Sequence, residues 1–198
     1  MITVENQLFS LHTRHTSYLF RVMETGHLEH LYYGRKIHPA IDGLMEQHAF
    51  APGNTNIYDS EHLQFSLEDA CLEMSSFGKG DIREPFVELT LSDGSETSDF
   101  LFEKFEQGTG KEEFETLPGS YDESGEVEWL GVTLRDKNSG VILELHYYVY
   151  EDCDVITRSA KLINESGDVV KLNRLMSLQL DLEPSDYVFT TCLLYTSD

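Results

Sequence analysis

The feature that most constrains this chain is the strict alternation of apolar and polar residues along most of its length. A side-chain period of two is what a half-buried strand produces and a helix does not. In 141–150, Val141, Leu143, Leu145, Tyr147 and Val149 fall on one side and Ile142, Glu144, His146, Tyr148 and Tyr150 on the other. In 127–135, Leu130, Val132 and Leu134 share a face, while Glu128, Thr133 and Arg135 show that the other strand positions need not all be apolar, so one face is expected to be wet. Between these runs lies Asp136-Lys137-Asn138-Ser139-Gly140. Its Asn and Gly tolerate the positive φ that a tight turn demands, so the two runs read as an antiparallel hairpin.

The same reading applied elsewhere predicts a hairpin from 86–91 and 97–106 around Ser92-Asp93-Gly94. It predicts another from 155–163 and 169–182 around Asn164-Glu165-Ser166-Gly167. In the last run Leu172, Met176, Leu178, Leu180 and Leu182 share a face, which predicts one long strand. Upstream, 7–12, 17–23 and 27–33 read as a three-stranded meander with Glu24-Thr25-Gly26 as its second turn. Many strands at short spacing with Gly and Asn turns indicate an antiparallel sandwich rather than a parallel α/β sheet.

Periodicity fades over 41–84, a stretch rich in Asp, Asn, Ser, Gly and His, and again over the acidic 108–125. A loop as long as the first is uncommon in a compact domain and points to function or disorder. It is expected to project from the sandwich and bury little, with 48–60 exposed and Phe50 outside the main core. Ordering such a segment costs about 1 to 2 kcal/mol of backbone entropy per residue with little to offset it.

Charge excludes several functions. With 36 Asp plus Glu against 14 Lys plus Arg, the net charge is −22, which repels phosphate backbones and anionic lipid, so neither nucleic acid nor membrane is expected as a partner. At 40% hydrophobic the chain has enough apolar surface for a core. It has no run of roughly 18 apolar residues of the kind that spans a bilayer. Residues 1–10 hold no Lys or Arg and do not read as a secretory signal, so a cytoplasmic location is expected. Cys71, Cys153 and Cys192 are too widely spaced for a zinc site and are expected to be reduced, buried, small hydrophobes.

Chemistry-bearing motifs are scarce. His12 with His15 and His27 with His30 are the closest histidine pairs, but residues three apart on a strand face opposite ways, so no metal site is expected. Phe77-Gly78-Lys79-Gly80-Asp81 lacks the Lys-Ser/Thr pair of a phosphate loop. Among so many acids, a pair such as Asp152 and Asp154 reads as a solvated turn rather than a catalytic dyad.

Four stretches in order nevertheless resemble the N-terminal domain of the bacterial α-galactosidases of glycoside hydrolase family 36. They are Gly26-His27-Leu28-Glu29-His30-Leu31-Tyr32-Tyr33-Gly34; His48-Ala49-Phe50-Ala51-Pro52-Gly53-Asn54 followed by Phe65-Ser66-Leu67-Glu68; Phe77-Gly78-Lys79-Gly80-Asp81-Ile82-Arg83-Glu84-Pro85; and Asp154-Val155-Ile156-Thr157-Arg158-Ser159. The resemblance runs from about residue 3 to 191. It implies an all-β fold, the first and incomplete part of a large antiparallel β-supersandwich with a long irregular loop. It implies a parent enzyme in which a (β/α)₈ barrel supplies two catalytic aspartates for retaining hydrolysis of terminal α-linked galactose from substrates such as melibiose and raffinose. A barrel needs roughly 200 residues or more, so this sequence is expected to hold no catalytic residue and to be inactive alone.

The same resemblance implies no cofactor, partnership with the enzyme's own barrel and with neighbouring subunits of a homo-oligomer, a tetramer in the family, and a loop that reaches a neighbour's sugar site. By register the family's sugar-contacting aspartate falls on Gln47, preceded by Glu46, so this sequence departs from the pattern; Gln47 retains an amide that donates and accepts hydrogen bonds. Phe50 is the loop's apolar contact, and Asp81 with Arg83 reads as an ion pair closing the loop. The tail 192–198 departs from the family and is expected to be non-native, leaving 1–191 as a truncated domain. The rival class is a free-standing carbohydrate-binding or scaffold sandwich, suggested by Trp129, Tyr148 and Tyr150, whose rings could stack on sugars or pack in the core.

Overall fold

The computed structural model describes residues 1–38, 44, 56–113, 119–182, 186 and 188. Ten strands are described: β1 (Ile2–Glu5), β2 (Leu8–His12), β3 (Thr16–Val22), β4 (Leu28–Arg35), β5 (Val87–Thr90), β6 (Phe100–Thr109), β7 (Glu128–Asp136), β8 (Ile142–Tyr150), β9 (Val155–Ile163) and β10 (Lys171–Leu175). Described helical structure is confined to the 3₁₀ turns Leu67–Asp69 and Glu151–Cys153. The strands form a sheet ordered β1-β2-β3-β4, a sheet ordered β6-β7-β8-β9, and the pair β10-β5. Each of these pairings is antiparallel.

The alternation read from sequence is realised as a core between the sheets. Phe9, Leu11, Tyr18, Phe20 and Leu28 of the first sheet and Leu130, Val132, Leu134, Leu143, Leu145 and Tyr147 of the other four-stranded sheet belong to one buried cluster, joined by Val87 and Leu89 of β5. Aromatic rings make the contact across the sandwich: Phe20 stacks on Tyr147 at 5.1 Å, and Phe9 meets Phe105 edge-on at 5.5 Å. The β7–β8 hairpin forms as its sequence predicts, with Leu134 opposite Leu143 and Leu130 opposite Tyr147. The meander appears as β2, β3 and β4, extended at its edge by β1.

Two expected hairpins do not form. β5 pairs with β10 and β6 with β7. The turn between β5 and β6 closes locally, with the Leu91 amide donating to the Ser95 carbonyl at 2.8 Å. Beyond it, the Asp99 amide donates to the Asp136 carboxylate at 2.5 Å and draws β6 toward β7. Likewise β9 pairs along its full length with β8 rather than with β10. Asn164 Nδ2 donates to the Asp168 carbonyl at 2.8 Å, making a corner between sheets. The predicted long strand over 169–182 is paired only at Lys171–Leu175. Past it, the polar half of the alternation leaves the sheet: Gln179 Oε1 accepts from Ser75 Oγ at 2.8 Å, and Asp181 accepts from Arg83.

Smaller expectations change too. Thr133 is buried rather than wet. Cys71 is half-buried and Cys153 exposed; Cys153 closes the 3₁₀ turn between β8 and β9, where no core lies beneath it. Cys192 lies outside the described residues.

Candidate functional site at the base of the long segment

Of the sequence-predicted site residues, Glu46, Gln47 and Phe50 lie outside the described residues. What the structure describes is the return of the long segment, 56–84, and the side chains that fasten it to the sandwich. The expectation of a poorly packed stretch fails here: Tyr58, Leu67, Ala70 and Leu72 are buried in a second apolar cluster with Met23 and Phe65 against it. Met74 enters the main core. These apolar residues sit at irregular intervals because the backbone turns repeatedly, so no period of two or 3.6 marks them.

Arg83 is the first fastening. Its Nε donates to Asp81 Oδ1 at 2.9 Å and its NH2 to Asp81 Oδ2 at 3.0 Å. NH1 donates to the Ala70 carbonyl and to Asp181, and NH2 also to the Leu67 carbonyl. The Asp81 side chain is 2% exposed and that of Arg83 25%. The guanidinium thus ties both ends of one irregular stretch to the strap that follows β10. The turn before it needs glycine: Gly80 has φ +82°, and a Cβ there would come within 2.7 Å of Asn56.

Asp99 is the second. Its Oδ2 accepts from the Tyr58 hydroxyl at 2.9 Å and its Oδ1 from His27 Nε2 at 3.0 Å, while Lys79 Nζ lies 3.8 Å away. Burial raises the Asp99 carboxyl, but the bonds from His27 and Tyr58 and the Lys79 charge outweigh it and hold the group below the usual carboxylate range. Burial first, then the Asp99 bond, pushes the Tyr58 phenol up. His27 Nδ1 in turn shares a hydrogen bond with Thr25 Oγ1 at 2.9 Å, which fixes the β3–β4 turn to the same anchor.

Glu73 is the third and deepest, fully buried. Its carboxylate accepts from the Tyr18 hydroxyl at 2.7 and 2.8 Å, from the Tyr147 hydroxyl at 2.8 Å and from His30 Nδ1 at 3.2 Å. Arg158 NH1 stands 2.8 Å from Oε1, and Arg158 NH2 donates to the Glu73 carbonyl at 2.9 Å. Burial raises this carboxyl, yet the Arg158 charge and the His30 and Tyr18 bonds bring it below the ordinary value. Burial and the neighbouring carboxylate push Tyr18 up, and Tyr147 also rises, burial leading. Sequence reasoning missed Glu73 and Asp99; the available signal was an acid between Leu72 and Met74 and another just before Phe100-Leu101-Phe102.

These groups hold rather than react, because the carboxylate oxygens are occupied by donors and shut off from solvent. Among the described residues, no group of three or more His, Cys, Asp or Glu has the arrangement of a metal site. Of the aromatic residues proposed for sugar stacking, Tyr148 is 3% exposed, with Lys111 Nζ 4.4 Å above its ring, whereas Trp129 and Tyr150 are half-buried. Tyr150 shares a hydrogen bond with Ser120, and Trp129 lies across Gly108 and Gly131.

Residues 26–192 match the model of the glycosyl hydrolase family 36 N-terminal domain. The bifunctional alpha-galactosidase/sucrose kinase AgaSK of Mediterraneibacter gnavus is 30% identical over 188 residues, covering 91% of this chain and 19% of that protein. The crystal structure of the alpha-galactosidase from Lactobacillus brevis superposes with a TM-score of 0.85 at 34% identity, covering 91% of this chain and 25% of that one. A variant of alpha-galactosidase AgaA from Geobacillus stearothermophilus in complex with raffinose superposes at 0.78 with 30% identity over 87% of this chain and 24% of that one. The chain therefore spans a fifth to a quarter of the length of these relatives, and the part it matches is their N-terminal β-domain. On a family match that covers most of its length, this chain belongs to the glycosyl hydrolase family 36 N-terminal domain family.

Proposed function

We propose that this chain is the non-catalytic N-terminal β-sandwich domain of an α-galactosidase that removes terminal α-linked galactose from oligosaccharides such as melibiose and raffinose. The observation that carries the reading is the family match across 26–192. Support for the substrate class comes from the AgaA variant, whose complex contains raffinose. In this reading the domain works beside a catalytic barrel and helps to assemble a homo-oligomer, a tetramer. Its long segment carries Glu46, Gln47 and Phe50 toward a neighbouring subunit's sugar site. The three anchors have a role in that arrangement. A loop that meets a substrate must be positioned by rigid supports, and Arg83, Asp99 and Glu73 fasten its returning arm.

The retaining reaction needs two carboxyl groups flanking the scissile bond. The buried, fully bonded Glu73 and Asp99 are unsuited to either part, and the 198-residue chain is expected to be inactive by itself. Incubating it with raffinose and with a chromogenic α-galactoside should release no galactose and no chromophore. Turnover that survives removal of trace contaminants would sink the assignment of chemistry to another domain.

A further inference from the structure

The outer face of the sheet ordered β6-β7-β8-β9, turned away from the buried Leu130, Val132 and Leu134, carries the chain's only tryptophan. Trp129 stands opposite Gly108 of β6 and Tyr148 of β8. Its indole lies down over Gly108, where a Cβ would come within 2.9 Å of the ring nitrogen, so the ring itself requires glycine at 108. The next row of the same face runs Glu106, Gly131, His146 and Ser159 across the four strands.

Gly131 has no such requirement. It lies in the interior of β7, where glycine weakens a strand. Its φ is outside the left-handed region, and the register on both sides of it is unbroken. A Cβ there would meet only ordinary contacts, 3.5 Å from Trp129 Cζ3, 3.8 Å from His146 Nδ1 and 3.9 Å from the Glu106 carbonyl. Neither backbone nor packing asks for glycine. What the missing side chain makes is a dimple between the edge of an indole and an imidazole, and an interior glycine of this kind marks close approach by a ligand.

The polar groups around the dimple suit hydroxyls. His146 Nε2 lies 3.3 Å from Glu144 Oε2. A carboxylate only accepts, so Nε2 carries the proton and Nδ1 of the neutral ring is left as an acceptor facing the dimple. Nδ1 has no hydrogen-bond partner among the described residues. The Glu106 carboxylate, 64% exposed, and the Lys104 ammonium, 58% exposed, meet at 2.7 Å on the rim and add an acceptor and a donor.

We propose that Trp129, Gly131 and His146 form a platform on the sandwich surface that binds the galactose end of an α-galactoside. The axial hydroxyl of galactose leaves the C–H groups of one ring face together. That apolar face rests on the indole, whose π-cloud is negative, while the hydroxyls reach His146 Nδ1 and Glu106. The choice of sugar rests on the functional reading above. A protein partner fits the face less well, because the row beyond the dimple holds Lys104, Glu144 and Lys161, and charged residues are depleted from the cores of protein interfaces.

The sole tryptophan makes the test direct, since its emission reports on this one place. Titrating raffinose into the 198-residue chain should change that emission saturably in the millimolar range, and sucrose, which lacks the galactose, should not. Gly131→Ala fills the dimple. It should weaken raffinose by about tenfold or more, yet leave the urea midpoint unchanged or higher, because alanine suits a strand better than glycine. Glu106→Ala, at an exposed side chain, should weaken raffinose about fivefold, the equivalent of one hydrogen bond. A merely structural tryptophan would not split binding from stability in this way.

Emission unmoved by raffinose, equal responses to raffinose and sucrose, or raffinose binding that either substitution leaves intact overturns the proposal. Binding is read here without turnover. Failure of the functional reading, seen in the hydrolysis assay, and failure of the platform are therefore read separately.

Discussion

The β6–β9 sheet and the irregular stretch 56–84 are both well packed, but they are held in different ways. The sheet is a ladder: β7 and β8 pair at eight successive positions, and β8 and β9 at nine. No single side chain is indispensable to such a ladder, because each bond is one among many of similar worth. The irregular stretch contributes only isolated bridges, such as Glu29 with Leu72 and Ser76 with Val87. Its position depends on Arg83, Asp99 and Glu73. A backbone without a ladder must satisfy its polar groups through side chains, so its stability is concentrated in a few residues.

The sharpest way to break this comparison is at Glu73. Arg158→Met should destabilise the chain by about 3 to 5 kcal/mol, because it leaves a buried carboxylate uncompensated. The double change Glu73→Gln with Arg158→Met should recover a substantial part of that loss, since no buried charge is then left unpaired. Urea midpoints of the single and double variants decide the matter. An Arg158→Met chain as stable as the parent would mean that the ladder, and not the anchor, carries the fold.

A second expectation concerns the loop alone. Arg83→Met removes the pair with Asp81 and the bonds to the Leu67 and Ala70 carbonyls, at a cost of about 1 to 3 kcal/mol. The loss should appear locally: amides of 67–72 exchange faster while those of β7 and β8 hardly change. Uniform acceleration across both regions would show that the two are one cooperative unit.

How far the sequence carried the reading follows from the same contrast. The β7–β8 hairpin was legible because alternation and an Asn-Ser-Gly turn lie within one short window. The β5–β10 pairing was not, because alternation identifies a strand and its faces but not its partner; Leu89 meets Leu172 across more than eighty residues of chain. Nor could periodicity single out Glu73 and Asp99 among 36 acids, since their burial is decided by Tyr18, His30, Tyr147 and Arg158 for one and His27 and Tyr58 for the other. Asp81 and Arg83 stood out only through resemblance. Glu46, Gln47 and Phe50 lie outside the described residues, so their part in the loop rests on resemblance too.

Acid should distinguish anchors from ladder more gently. The Glu73 and Asp99 carboxyls are held below their ordinary values in the folded chain. Their stabilisation is therefore complete above the unfolded carboxylate values, about pH 4, and is lost as pH falls through the lower folded values. Urea midpoints between pH 7 and pH 3 should fall at the acid end, and the fall should be shallower in the Glu73→Gln, Arg158→Met double variant. An identical slope in both chains would remove Glu73 from the account of acid sensitivity.

The smallest effect should come from the ladder's own turn. Gly140 closes the β7–β8 hairpin with φ +76° and has open space where a Cβ would go, so substitution there meets conformational strain and no clash. Its amide donates to the Asp136 carbonyl at 3.0 Å, and Asp136 also accepts from the Ser139 amide at 2.8 Å. These bonds hold the turn in shape whichever residue occupies position 140. Gly140→Ala should then cost only the left-handed penalty of an L-residue, about 1 to 2 kcal/mol. Gly140→Asn should cost less, because Asn visits that region more readily. Exchange at 67–72 should be untouched in both. If Gly140→Ala instead loosens the irregular stretch as much as Arg83→Met does, the hairpin tip acts as an anchor in its own right, through the Asp136 carboxylate that receives the Asp99 amide.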